Sequence, residues 1–197
     1  METTENVHFI DKVVSSLRSV ATELEEFQVQ ASLGKAEALD KYDEVKKKFD
    51  MFIHESKMKV KAGNEKVEEV HMKIDELRVQ LALGKAETID AFQQQKKRLL
   101  TAIHDLEVKI KTNETLKRIY AFVLIEIDKF KVQLEVLEQK FEKGANTAKT
   151  SFEKGKVEFD QFIENIKVNF SKKEETKWEQ FQGEVSTAFE RLKNSFT

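Results

Sequence analysis

No proline occurs anywhere in the 197 residues of this chain. Average usage would supply roughly ten. Proline fixes turns and breaks helix interiors at a cost of about 3 kcal/mol. Only six glycines are present as the other strong breaker. A chain so short of both is mostly helix with few connections. Charge points the same way: 36% of residues are charged and 40% are apolar, against roughly 25% charged in ordinary globular proteins. The preserved apolar content argues against disorder. Long solvated helices with narrow apolar seams account for both figures.

Several function classes drop out on composition. With no cysteine, disulfides, thiolate metal sites and cysteine nucleophiles are all excluded. The first residues, Met1 to Asn6, are acidic and polar, so no secretory signal is expected. No apolar run approaches the ~20 residues of a membrane span. A net charge of −2 with a pI near 6.2 offers no general attraction to nucleic acid or anionic membrane. The expectation is a soluble, cytoplasmic protein with no nucleic-acid partner.

Self-similarity is the next signal. Val29-Gln-Ala-Ser-Leu-Gly-Lys-Ala-Glu37 returns as Val79-Gln-Leu-Ala-Leu-Gly-Lys-Ala-Glu87, a shift of 84 − 34 = 50. Phe52-Ile-His-Glu55 becomes Ala102-Ile-His-Asp105 at the same shift. A third copy is shifted by 144 − 84 = 60, with Phe152, Phe159, Ile163 and Phe170 matching Phe92, Leu99, Ile103 and Ile110. Leu17, Val20, Leu24, Phe27 and Ala31 alternate by three and four, the period of a helix-packing seam. Val67, Val70, Ile74, Leu77 and Leu81 repeat it, as do Ile127, Phe130, Leu134, Leu137 and Phe141. The next seam position is glycine in every copy (Gly34, Gly84, Gly144), and the seam then resumes one residue late. Within a continuous helix such a skip relaxes the left-handed supercoil.

Breaks between copies are legible too. Ala62-Gly-Asn64 offers a glycine stop and an asparagine N-cap, Thr112-Asn113 stands 50 residues on, and Ser171-Lys-Lys-Glu174 has capping-box spacing. Helices are therefore expected at about 4–61, 65–111, 114–169 and 172–196, the last a half-length copy carrying Trp178, Phe181, Val185, Ala188 and Leu192. Short connections make neighbours antiparallel. The predicted fold is all-α: a single elongated antiparallel bundle of three long helices plus a shorter fourth, with coiled-coil-like packing.

In that arrangement helix four leaves one end of the bundle uncovered, and Ile119-Tyr-Ala-Phe-Val-Leu-Ile-Glu-Ile127 lies there, apolar on nearly every side. Contiguous exposed apolar surface marks interfaces. Ile119, Tyr120, Phe122, Leu124 and Ile125 are accordingly the expected association residues, with a second copy of the chain as the partner. The competing expectation is that the rest of the bundle folds over this run.

Polar features add no chemistry. Lys46, Lys96 and Lys156 take one inward seam position in all three copies, as expected of a lysine that sets register. Glu68 and His71 have Glu-x-x-His spacing, but a second such motif is missing. His54 and His104 fall at opposite ends of the predicted bundle, so no metal site is expected. Lys46-Lys-Lys48 and Lys96-Lys-Arg98 are interspersed with acids and read as solvated faces. Phosphate-loop, nucleophile-elbow, metalloprotease and calcium-loop patterns are missing. No catalytic residue, cofactor or small-molecule substrate is predicted.

Two functions fit this pattern. The first is a non-enzymatic structural or interaction protein, a helical spacer or adaptor that self-associates or binds another protein. The second is a lipid-surface protein. Long amphipathic helices with near-11-residue Phe spacings (Phe141 to Phe152, Phe159 to Phe170 to Phe181) are similar in pattern to apolipoproteins and the phasin-like coats of lipid granules. Three long helices per chain also resemble membrane-curving BAR domains, whose binding calls for a basic face.

Overall fold

The computed structural model of the protein describes residues 2–30, 34–143, 145–170 and 178–196, with side chains for all of these except 2–8, 35, 145–146, 167–170 and 178–179. Eight helices occupy nearly all of them: α1 (Glu2–Gln30), α2 (Lys35–Lys59), α3 (Glu65–Leu81), α4 (Ile89–Lys111), α5 (Glu114–Ile119), α6 (Ala121–Glu142), α7 (Ala145–Phe170) and α8 (Trp178–Asn194). No strand occurs among the described residues. The two asparagines at the sequence breaks act as N-caps. Asn64 accepts from the Val67 N–H at 3.0 Å, and Asn113 accepts from the Leu116 N–H at 3.2 Å, each satisfying a backbone donor that the first helical turn leaves open. Gly144, the Ser171–Glu174 capping pattern and the side chains of Phe170 and Trp178 lie outside the described residues.

The three long helices of the sequence reading are each divided. Residues 82–88 separate α3 from α4, α1 and α2 are divided before Gly34, and α6 ends at Glu142. At these points the chain reverses. Glu69 at the start of α3 pairs with Lys109 at the end of α4 at 2.6 Å. Helix α1 runs alongside α6 in the same direction, with Phe9 against Phe122, Glu23 on Lys129 at 2.8 Å and Gln28 on Lys140 at 3.2 Å. Helix α7 opposes α1, through Arg18–Glu164 at 2.8 Å and Lys156–Glu25 at 2.7 Å. The reversal accommodates the one-residue skip. The skip rotates the apolar stripe by 100°, so a continuous helix would point its two halves in different directions. Two separate arms can each turn a stripe to the core.

Helix α6 organises the rest. Helices α2 and α4 pack on one of its sides, with α3 lying across the two of them, and α1, α7 and α8 pack on the other. Two four-helix groups thus share one helix. Phe130 of α6 stacks on Phe49 of α2 at 4.4 Å, and Phe141 meets Phe92 of α4 edge-on at 4.9 Å. Opposite, Phe159 of α7 lies 4.7 Å from Phe189 of α8. Phe181, Val185, Ala188 and Leu192 of α8 are buried, as their seam spacing predicts.

Candidate interaction sites

The run from Ile119 to Ile127 is where the fold departs most from the expected interface. Tyr120, Leu124 and Ile125 are 1%, 9% and 4% exposed, so they lie inside the chain and are corrected as surface residues. Phe122 is half-buried with its ring 6.1 Å from Phe9, and Ile119 alone is open to solvent, at 42%. The uncovered end existed only on the premise of unbroken helices. Once the chain reverses between α1 and α2, Phe9 and Val13 of α1 and Phe181 and Val185 of α8 lie over this end of α6. The apolar circumference of α6 is satisfied from within.

The three repeat-equivalent lysines tie one hairpin to the next. Lys46 of α2 is 1% exposed and donates to the carbonyls of Leu83 and Gly84 at 2.8 and 3.2 Å and to Gln95 Oε1 at 3.1 Å. Burial pushes its pKa down, against the pull of Asp43 at 3.7 Å. Lys96 of α4 bridges Glu135 and Glu138 of α6 at 2.8 and 2.6 Å. Lys156 of α7 reaches Glu25 of α1. Glu25 and Glu135 each stand nine residues before their glycine, so the last two bonds occupy one place in two interfaces. Lys96 and Lys156 each join the second arm of one hairpin to the first arm of another, whereas Lys46 joins α2 to the α3–α4 connection and to Gln95 of α4. Such bonds fix register between amphipathic arms that could otherwise slide.

Histidines and basic clusters are placed on the periphery. His54 and His104 are exposed, and His54 Nδ1 lies 3.0 Å from Arg78 Nη1. His71 is half-buried, and burial, then Lys57, pull its pKa down. No group of three or more His, Asp or Glu suited to a metal occurs among the described residues. In the first basic cluster Lys47 pairs with Asp43 at 2.8 Å and Lys48 with Glu44 at 2.7 Å. These contacts make the solvated, neutralised face that interspersed charge implies.

Two features were missed in the sequence. The first is on the outer side of the α2–α3 hairpin, where Met51, Met58, Met72 and Val79 are 61%, 70%, 57% and 63% exposed. The hairpin pairs Asp50 with Arg78 at 2.7 Å and Lys57 with Asp75 at 2.6 Å. This antiparallel register sets Met51 level with Val79 and Met58 level with Met72. The available signal was two apolar residues seven apart on the polar face of each helix. The second is Asp128, only 8% exposed within the apolar α6. Burial raises its carboxyl to about 7, with Lys131 at 3.9 Å opposing the rise. Comparison of the chain with protein-family models, curated proteins and solved structures finds no match.

Proposed function

We propose that this protein is a non-enzymatic interaction module that self-associates through the outer side of its α2–α3 hairpin. The carrying observation is the four-residue stripe of Met51, Met58, Met72 and Val79, exposed on a surface whose charged groups are otherwise largely paired. Exposed apolar patches mark interfaces, and methionine adapts its shape to a partner. A second copy suits the stripe because its halves are level. A two-fold axis parallel to the helices sets Met58 against the partner's Met72 and Met51 against the partner's Val79. Two antiparallel hairpins then form a four-helix contact, the isologous arrangement usual in homodimers. Coiled-coil-like seams and the internal repeat belong to this reading as the origin of the stiff arms, and a cytoplasmic setting suits a chain without cysteine.

Light scattering on wild type and on Met58→Glu/Met72→Glu tests it. Both side chains point away from the core, so the variant keeps its helicity. A wild-type dimer that becomes a folded monomer supports the reading, and a wild type monomeric at its highest soluble concentration sinks it.

One observation favours the lipid-surface reading as the alternative. Helices α1 and α2 each pack on α6 more than on each other, and a cleft lined by Glu23, Glu26, Lys41 and Lys48 lies between them. A hairpin so loosely closed could open its apolar faces onto lipid. Co-flotation with vesicles at unchanged helicity supports this alternative, whereas recovery of all the protein in the unbound fraction removes it.

A further inference from the structure

A pocket of about 40 Å³ lies between α1, α6 and α8, walled by Val13, Leu124, Ile125, Phe181 and Val185. One ionisable group sits deep in this apolar lining: Asp128, more than nine-tenths buried. Its nearest cation is Lys131 at 3.9 Å, and Lys131 stands closer to Glu107, at 2.6 Å. Lys111, at the edge of the pocket, also turns to Glu107, at 3.4 Å. Glu190 of α8 is taken up by Lys193 at 3.1 Å. The Asp128 carboxyl therefore keeps acceptor capacity on the pocket side, although burying a carboxyl without a hydrogen bond is costly.

We propose that this pocket binds a small, neutral, apolar molecule carrying one hydroxyl group, which donates to the carboxyl of Asp128. Charge selects the neutral class. With Asp128 ionised, as an acceptor of this hydrogen bond is, Lys111 and Lys131 balance Glu107 and Asp128, so an ammonium would add a third cation to a balanced cluster. An anionic head would instead face two carboxylates. Volume selects the size: there is room for roughly three water-sized groups, enough for the hydroxyl and the first carbons of a short chain. The site stands apart from the α2–α3 stripe and is independent of self-association.

Methyl-resolved NMR titration of the full chain with 1-butanol, and with its isomer diethyl ether, tests the assignment. The two probes share a formula and differ in having or lacking an O–H donor. Saturable shifts confined to the methyls of the lining residues Val13, Ala121, Leu124, Ile125 and Val185, with at least tenfold weaker binding of the ether, are the expected result. Asp128→Leu should erase that preference, and Val185→Phe should fill the pocket and abolish both responses. The comparison of probes on wild type stands even where a variant fails to fold. Equal binding of the two isomers, no saturable shift with 1-butanol, or a preference that survives in Asp128→Leu would each overturn the proposal.

Discussion

A carboxylate carried into a helix bundle loses its hydration, and the protein can respond by holding the proton. Asp128 does so: its folded pKa is raised to about 7, against roughly 3.9 in an unfolded chain. Between these values the folded state binds a proton that the unfolded state has released, so stability falls as pH rises through that window. Asp128→Asn removes this slope. The variant should gain stability relative to wild type, on the order of 2 kcal/mol, between pH 5 and pH 8, read as the change in urea-midpoint difference at the two pH values. Asp43 and Glu44, whose pKa values are lowered by Lys47 and Lys41 respectively, run the other way and cancel in the comparison. The bridging lysines grade by burial in the same manner. Lys96 is 8% exposed against Glu135 and Glu138 at 17% and 27%, whereas Lys156 and Glu25 are 28% and 55% exposed. Lys96→Ala leaves two partly buried carboxylates facing each other and should cost about 2 kcal/mol or more. Lys156→Ala should cost roughly 0.5 kcal/mol. Equal losses in chemical denaturation would show that burial does not set the strength of these bonds.

Glycine within a helix carries two opposite meanings, and α7 and α8 show both. A Cβ built on Gly155 would stand 2.8 Å from Leu192 Cδ1 and closer still to Ser195 Oγ, whereas one on Gly183 meets nothing within 4 Å. Gly155 is thus where the backbone of α7 comes close to α8. Gly155→Ala should destabilise by about 1–3 kcal/mol through overpacking, despite alanine's higher helix propensity. Gly183→Ala should stabilise by about 0.5–1 kcal/mol. Thermal melts of the two variants moving in the same direction would refute the close approach. Element by element, the sequence carried the helical class, the caps at Asn64 and Asn113, the buried stripe of α8 and the special standing of Gly34 and Gly84. It did not distinguish a skip inside a helix from a reversal between two. The seam has the same spacing on both sides of the glycine, and heptad phase records which face is buried without recording the direction in which the chain arrives. Gly155 gave no signal for a related reason, since its constraint comes from Leu192 and Ser195, far along the chain.

At the scale of the whole molecule, that single ambiguity decided where a surface would be. The apolar circumference of α6 was legible as a demand for burial from Tyr120 through Ile127. Which elements meet it depended on whether α1 ran on or turned back, a tertiary choice that no local pattern encodes. With the reversal, α6 becomes the helix common to both four-helix groups, and its fully buried Val132, Leu134, Val136 and Leu137 belong to no single group. A shared helix couples the stability of its neighbours, because neither group can open without exposing part of it. Phe130→Ala, which removes the ring stacked on Phe49, should cost about 3–5 kcal/mol and lower hydrogen-exchange protection in α2–α4 and in α1, α7 and α8 alike. Phe189→Ala removes a ring of similar burial on α8, which packs on α6 and α7 at the edge of one group. Its loss of protection should concentrate in α7 and α8, while α2–α4 keep theirs. Residue-resolved exchange on the two variants separates the cases. Protection lost from only one group in Phe130→Ala would mean that the two halves are held by different helices and that α6 is not their common core.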